Sequence, residues 1–191
     1  MQSKDRINDF VIQIATVNGT GSSSANTLLM KAIFRMGIPV VGKNYFPSNI
    51  QGLPTWYEIR VTGEGHLARS SKVDIMVAMN AQTYAEDLSS VATNGVLIYD
   101  SSWPRAELEN RSDITVLPVP LSKMCNESFT GARARILMKN IAYVGAIAAL
   151  IEIDREVVRQ LLSETFTDKP DLVESNMQAF ELGYDYSQTE F

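Results

Sequence analysis

The stretch QIATVNGTGSSSANTLLMKAIFRM at residues 13–36 decides the fold of this chain. Its first part ends an apolar run typical of a buried strand, and its last part repeats apolar residues at helical spacing. Two glycines and a cluster of serines and threonines lie between them, which suits a tight turn that presents backbone N–H groups. The pattern therefore predicts a strand, a phosphate-type loop and the N-terminus of a helix.

This loop has two interpretations, and the motif alone does not choose between them. A helix N-terminus after a glycine turn favours an anionic ligand. Every doubly wound α/β domain also needs a turn of small residues after its first strand, so the motif has a purely structural use as well. The residues that we consider as ligand contacts are Asn18, Gly19, Thr20, Gly21, Ser22 and Ser23.

Composition limits the chemistry that the chain can perform unaided. Its 191 residues suit one domain, and they include one cysteine and one histidine, too few for a zinc site, an iron–sulfur cluster, a disulfide or a Cys/His nucleophile pair. The formal net charge of -5 argues against partners such as nucleic acid or an anionic membrane. We see neither an export signal nor a membrane span, so we expect a cytoplasmic protein. His66 lies in a predicted turn, where it is more simply solvated than catalytic.

A second short strand ends in Gly42 and Lys43. In the dinucleotide-binding version of this fold an acidic residue at that place holds the ribose hydroxyls. Lys43 weakens an NAD hypothesis and favours a phosphate-bearing ligand or a partner carboxylate. The segment of residues 44–55 combines prolines, a glycine and amides with aromatic anchors. We interpret it equally as a ligand-binding loop or as a partner interface.

The rest of the chain alternates strands and helices. Strands are predicted at residues 56–62, 73–79, 95–100 and 114–118, and helices at 82–88, 119–127, 133–151, 154–166 and in a last segment ending at Gly183. Asn80 and Asp100 follow strands whose carboxyl ends would face a ligand, although each also suits a cap or turn.

This order predicts an α/β, Rossmann-like doubly wound fold. We expect a mostly parallel sheet of about six strands with helices on both faces and a C-terminal helical extension. Residues 1–165 would form the domain, and residues 166–191 would be its extension or a linker to a following domain.

Several runs of this sequence resemble a known family. They are VNGTGS at residues 17–22, FRMGIPV at 34–40, GKN at 42–44, FPSNIQGLPTWYEIRV at 46–61 and, more weakly, FELGY at 180–184. Together they resemble the γ domain of the thiamine-diphosphate-dependent 2-oxoacid:ferredoxin oxidoreductases. The copy at the N-terminus of the α subunit in the 2-oxoglutarate-type enzymes is the most similar.

The resemblance implies a non-catalytic domain or subunit of an enzyme that oxidatively decarboxylates a 2-oxoacid to an acyl-CoA and reduces ferredoxin. Thiamine diphosphate, Mg and 4Fe–4S clusters would belong to partners, including a thiamine- and Fe–S-binding β subunit. The chain alone would be inactive and part of a hetero-oligomer, either as a free subunit or as an excerpt of a longer α subunit.

In that family the γ domain is associated with assembly and with access of coenzyme A (CoA). Under this hypothesis the loop residues, Lys43, Asn44 and Arg60 would contact CoA phosphates. Two alternatives from other classes stay open: a stand-alone CoA- or nucleotide-binding module, and a subunit-interface scaffold without redox chemistry.

Overall fold

A computed structural model of the chain describes residues 8–46, 53–66, 68, 72–108 and 111–191. The strands in this part are β1 (Asp9–Val17), β2 (Val40–Tyr45), β3 (Pro54–Thr62), β4 (Val73–Ala78), β5 (Val91–Asp100) and β6 (Thr115–Val119). The helices are α1 (Ser22–Arg35), α2 (Tyr84–Ser90), α3 (Leu121–Ser128), α4 (Ala132–Leu150), α5 (Arg155–Thr165) and α6 (Pro170–Glu190), with a single 3₁₀ turn at Ala106–Leu108.

The six strands form one sheet in the order β2-β3-β1-β4-β5-β6. β1, β4, β5 and β6 pair in parallel, whereas β3 pairs antiparallel with both β1 and β2. After β1 the chain continues to β2 at one edge of the strand order, and after β4 it continues to β5 in the direction of the other edge. The carboxyl ends of these two strands therefore mark the switch point at which open α/β sheets bind ligands.

The two faces of the sheet are covered unequally. The larger apolar cluster joins one face to α1, α4, α5 and α6, with Ile12, Ile59 and Ile98 among its sheet residues. The smaller cluster covers part of the other face, where Tyr84 of α2 and Leu108 of the 3₁₀ turn pack on β4 and β5. The predicted α/β class with helices on both faces is confirmed, and most of the helical mass lies on one of them.

Helices α4 and α6 pack backbone to backbone. A Cβ atom at Gly145 would overlap the carbonyl oxygen of Phe180, and one at Gly183 would overlap that of Ala142. Gly183 was expected to end the last helix, and this prediction is wrong, because α6 continues to Glu190. The glycine serves the close contact between the two helices.

Local signals elsewhere in the sequence placed the helices well. The helix that the opening motif predicts begins at Ser22, directly after the glycine turn. Asp154 caps α5, since its side chain accepts a hydrogen bond from the backbone N–H of Glu156 at 2.8 Å. None of the helices in the described ranges combines the length and apolar character that a membrane crossing requires.

Candidate functional site

The loop between β1 and α1 depends on its two glycines. Gly19 and Gly21 have φ angles of 87° and 84°, in the left-handed region that a Cβ atom disfavours. Gly21 also lies against α4, because a Cβ atom there would overlap Cδ2 of Leu137. Both glycines of the predicted turn are therefore required for their backbone conformation. Gly21 is required for a second reason, because a larger residue would overlap Leu137.

Hydrogen bonds hold this loop from several sides. Thr20 Oγ1 donates to the carbonyl of Val17 at 2.7 Å, and Thr16 Oγ1 donates to Ser22 Oγ at 2.9 Å. The side-chain amide of Asn140 in α4 donates to the carbonyl of Thr20 at 2.8 Å. The N-terminus of α1 is consequently fixed by neighbouring elements before any ligand arrives.

The first turn of α1 keeps its anion-binding character. Gly21 is the N-cap residue, and no side chain of the described residues caps the helix. No acidic residue lies in the first turn either. Uncapped N–H groups at the positive end of a helix dipole attract phosphate or carboxylate oxygens.

A cleft of about 260 Å³ opens beside this helix end. We call it the loop cleft, and it is lined by hydroxyl, amide and aromatic side chains together with the glycine backbone: Asn18, Gly19, Gly21, Ser22, Ser23, Asn26, Asn44, Phe46, Thr55 and Tyr57. None of these lining residues carries a formal charge. The cleft therefore offers neutral hydrogen-bonding groups and the helix N-terminus.

The loop cleft unites most of the predicted contact residues. Asn18, Gly19, Gly21, Ser22, Ser23 and Asn44 all line it. Thr20 contributes to the loop through its hydrogen bonds to neighbouring elements. Residues 47–52 of the predicted binding loop lie outside the described residues.

Lys43 and Arg60 are not brought to the loop, contrary to the expectation of one joint site. Asn44 pairs with Tyr57, which packs toward α1, whereas Lys43 pairs with Glu58 and Arg60 shares the face of Glu58. Neighbouring residues of a strand point to opposite faces of the sheet, so Lys43 and Arg60 lie on the other face.

Both basic side chains interact with neighbours on that opposite face. Lys43 Nζ lies 5.1 Å from the ring centroid of Tyr45. Arg60 forms an ion pair with Asp9 and donates to the carbonyl of Val61 at 3.0 Å. Their surroundings are those of a sheet surface on the face away from α1.

Asn80 closes the turn at the end of β4. Its Oδ1 accepts from the backbone N–H of Gln82 at 2.9 Å, and its Nδ2 donates to the carbonyl of Thr16 at 3.3 Å. The turn interpretation of Asn80 is confirmed, and the residue also ties β4 to the end of β1.

Asp100 caps α3 at the end of β5. Its carboxylate accepts from the backbone N–H groups of Ser102 and Ser122 at 3.2 and 3.1 Å, and from the hydroxyl of Ser122. The cap interpretation of Asp100 is confirmed.

His66 lies exposed in its predicted turn, 3.6 Å from the carboxylate of Glu64. Among the described residues, no group of three or more His, Cys, Asp or Glu side chains could hold a metal ion.

Sequence reasoning missed a second, larger cavity at the same edge of the sheet. This β4–β5 cavity has a volume of about 450 Å³ and is lined by residues from β4, β5, α2, α4 and the turns between them: Ala78, Met79, Ala81, Tyr84, Tyr99, Asp100, Trp103, Pro104, Arg105 and Lys139. Only Asp100 carried a sequence signal, as a polar residue at a strand end. The others come together through tertiary packing that no local pattern indicates.

Charged and aromatic groups face each other in the β4–β5 cavity. The guanidinium carbon of Arg105 lies 4.1 Å from the ring centroid of Tyr84. Lys139 Nζ lies 3.3 Å from Ser122 Oγ and 3.9 Å from Asp100 Oδ2. Burial, more than any neighbouring charge, raises the pKa of Tyr84 to about 12, so its phenol stays neutral.

Cys125 of α3 is buried near this cavity. Burial raises the pKa of its thiol to about 11, although the nearby Lys139 ammonium acts in the opposite direction. A thiol with this pKa holds almost no thiolate at neutral pH. Cys125 therefore behaves as a packing residue.

These features define a Rossmann-like α/β domain with a neutral loop cleft and a cationic cavity along one sheet edge. The chain matches the family model described as pyruvate ferredoxin/flavodoxin oxidoreductase over residues 11–186. Because that match covers most of the chain, this protein belongs to the pyruvate ferredoxin/flavodoxin oxidoreductase family. The family resemblance predicted from the sequence is confirmed.

Two curated relatives are longer than this chain. The 2-oxoacid:ferredoxin oxidoreductase 2 subunit alpha of Aeropyrum pernix is 22% identical over an alignment 222 residues long, gaps included, which covers 96% of this chain and 34% of that protein. The ketoisovalerate oxidoreductase subunit VorA of Methanothermobacter marburgensis is 26% identical over 115 residues, which cover 60% of this chain and 23% of that protein. The chain thus spans about a third or less of the curated relatives it matches.

Solved structures share the fold at low identity. The 2-oxoglutarate:ferredoxin oxidoreductase of Magnetococcus marinus, solved with 2-oxoglutarate, coenzyme A and succinyl-CoA bound, matches with a TM-score of 0.84 and 23% identity over 97% of this chain and 32% of that chain. Pyruvate oxidoreductase subunit PORC of Thermotoga maritima matches with a TM-score of 0.73 and 17% identity over 94% of this chain and 97% of that subunit. The keto/oxoacid ferredoxin oxidoreductase gamma subunit of Geobacter sulfurreducens has a TM-score of 0.72 and 17% identity, over 94% and 99% of the two chains.

Proposed function

We propose that this chain is a non-catalytic γ-type domain or subunit of a 2-oxoacid:ferredoxin oxidoreductase. The observation that carries this proposal is the family match over residues 11–186. The fold supports it, because the same architecture makes up nearly all of two individual subunits and about a third of a longer oxidoreductase chain.

The assembled enzyme would oxidatively decarboxylate a 2-oxoacid, transfer the acyl group to CoA and pass the electrons to ferredoxin. We favour 2-oxoglutarate as the substrate, since the structural neighbour with a TM-score of 0.84 acts on it. We assign thiamine diphosphate, Mg and iron–sulfur clusters to partner subunits. The single, buried Cys125 and the single, exposed His66 support that assignment, because iron–sulfur clusters require several cysteine ligands.

Within such an assembly we assign CoA contacts to the loop cleft. Its lining offers the uncapped N-terminus of α1, the hydroxyl-bearing Ser23 and the amide side chains of Asn18 and Asn44. A helix N-terminus suits a phosphate oxygen, and neutral amides suit the amide-bearing arm of CoA. The loop is already fixed by Asn140 and Thr16, so little ordering free energy would be spent on binding.

A partner protein is the alternative occupant of the loop cleft. Phe46 lines the cleft and is 64% exposed, and the cleft has no charged residue. Aromatic side chains beside neutral polar groups are typical of protein interfaces. In that case the cleft would serve assembly alone.

Purification from the natural source tests the proposed function. The tagged chain should co-purify in stoichiometric amount with a subunit that contains thiamine diphosphate and iron–sulfur clusters. Metal and cofactor analysis of the purified material gives the result. A lone monomer in repeated preparations would contradict the proposal.

Adjacent residues of β2 provide a matched pair of variants for the CoA assignment. In the purified assembly, Asn44→Ala should weaken CoA binding, whereas Lys43→Ala on the opposite face should leave the binding constant unchanged. Calorimetric titration with CoA measures both. Unchanged CoA affinity in the Asn44→Ala assembly, combined with weaker association of this chain with its partner subunit, would assign the loop cleft to a partner.

A further inference from the structure

We propose that the β4–β5 cavity binds a nucleotide, in which a planar aromatic base is joined through a sugar to a phosphate. The cavity lies at the carboxyl ends of β4 and β5, the edge at which open α/β sheets bind ligands. Its volume of about 450 Å³ is typical of small-molecule sites. The assignment uses residues that the loop cleft does not contain, so a loss of AMP binding in Arg105→Gln and a loss of CoA binding in Asn44→Ala are separate results.

Two cations in this cavity suit a phosphate group. Arg105 comes from the turn after β5 and Lys139 from α4, so they face the cavity from separate elements. The Arg105 guanidinium makes no hydrogen bond or ion pair with another described residue. Lys139 donates one hydrogen bond, to Ser122 Oγ at 3.3 Å, which leaves two of its donors for a ligand.

The acidic residue of the cavity lining offsets part of this charge. Asp100 accepts hydrogen bonds from the backbone N–H groups of Ser102 and Ser122 and from the Ser122 hydroxyl. Its carboxylate also forms an ion pair with Lys139, at 3.9 Å between Oδ2 and Nζ. Because Arg105 and Lys139 stand against one carboxylate, the lining keeps a net positive charge that favours an anion.

Aromatic side chains in the same cavity suit a flat base. Trp103 lines the cavity, and its large aromatic ring is 68% exposed. The Arg105 guanidinium is a second flat group in the cavity, and its carbon lies over the Tyr84 ring at 4.1 Å from the centroid. Bases stack on tryptophan rings and on arginine planes with little regard to their identity.

Tryptophan fluorescence of the purified full chain tests this proposal. The chain has two tryptophans, and only Trp103 lines this cavity, so quenching that disappears in Trp103→Leu reports Trp103. AMP should quench the emission and give saturable heat in calorimetry. Adenosine alone and inorganic phosphate alone should each bind at least about tenfold more weakly, because each lacks one half of the contacts.

Charge variants locate the phosphate contact. Arg105→Gln and Lys139→Met should each weaken AMP binding by about tenfold or more, and the exposed Lys31→Met on α1 should leave it unchanged. Trp103→Leu should abolish the quenching. Thermal unfolding of each variant, followed by circular dichroism, shows whether the fold is retained. The milder Lys139→Arg should keep AMP binding within severalfold of the original value.

A free mononucleotide and the nucleotide end of a larger cofactor present the same chemistry to this cavity. Parallel titrations with AMP and CoA distinguish these sources, and saturable binding of either that depends on Arg105 and Lys139 supports the site. The proposal is overturned if neither ligand quenches Trp103. It is equally overturned if AMP binding survives both charge variants, or if phosphate alone binds as tightly as AMP.

Discussion

The loop cleft and the β4–β5 cavity lie at the same edge of one sheet, yet they differ in charge and in construction. The loop cleft is neutral and is built largely from one continuous loop that α4 holds through Asn140. The β4–β5 cavity is cationic and is assembled from residues far apart in the chain, with Lys139 as its contribution from α4. Both clefts therefore share the carboxyl edge of the sheet, while α4 contributes a neutral amide to the loop and a lysine to the cavity.

The largest effect is expected from moving the helix that both regions share. Gly183→Ala would place a Cβ atom on the carbonyl oxygen of Ala142 and push α6 away from α4. We expect the free energy of unfolding to fall by about 3 kcal/mol or more. Urea denaturation measures this loss, and the exposed Gly63→Ala serves as the control, since an added Cβ atom there makes ordinary contacts. Equal stability of the two variants would show that α6 does not hold α4 in place.

Detaching the loop between β1 and α1 from α4 should have a smaller effect. This effect should be confined to the loop cleft and should leave the β4–β5 cavity unchanged. Asn140→Ala removes the hydrogen bond to the Thr20 carbonyl, and we expect a loss of about 1–3 kcal/mol. The exposed Asn126→Ala of α3 is the matched control. Hydrogen exchange should show faster exchange in the loop of the Asn140 variant and unchanged protection in β4 and β5. Faster exchange throughout the sheet would contradict a local role for Asn140.

The two loop glycines separate conformational strain from crowding. Gly19→Ala meets open space, so it should cost about 1–2 kcal/mol for its left-handed conformation alone. Gly21→Ala has the same strain and also displaces the flexible end of Leu137, so it should cost somewhat more. Thermal unfolding of both variants gives the difference. A greater loss for Gly19→Ala would mean that Leu137 does not pack on the loop.

Chemical reactivity, and not stability, tests the burial of Cys125 beside the cationic cavity. Because burial raises the pKa of the Cys125 thiol to about 11, iodoacetamide should react with the folded chain near pH 8 about a hundredfold more slowly than with an exposed cysteine. Lys139→Met removes a charge that lowers this pKa, and should slow the reaction further. The chain unfolded in urea should react at the ordinary rate. Fast labelling of the folded chain would show that Cys125 is accessible.

Local patterns in the sequence predicted most of the elements and one of the two regions. The run from β1 through Gly21 into α1, and the cap at Asp154, depend on neighbouring residues alone, so they could be predicted. The loop cleft followed for the same reason, since most of its predicted contacts belong to one loop. The antiparallel direction of β3 could not be predicted, because long-range pairing with β1 and β2 decides it.

Lys43 and Gly183 lie differently from what the sequence indicates, and the physical causes are related. Strand alternation separates Lys43 from Asn44, but the sequence does not show which face of β2 lies toward α1. Gly183 resembled a helix stop, because a glycine needed for helix packing and one that ends a helix look alike in a sequence. The β4–β5 cavity joins Tyr84, Trp103 and Lys139 across three elements, so its composition emerges only when the sheet and α4 are assembled.

The central claim is that this chain is an accessory domain of an oxidoreductase, and the reduction of ferredoxin tests it most directly. We predict that the assembly purified through this chain reduces ferredoxin when 2-oxoglutarate or another 2-oxoacid and CoA are supplied, while the chain alone does not. The Asn44→Ala assembly should need more CoA for half-maximal rate, and the Lys43→Ala assembly should not. Absence of 2-oxoacid-dependent ferredoxin reduction in an assembly that contains thiamine diphosphate and iron–sulfur clusters would contradict the claim.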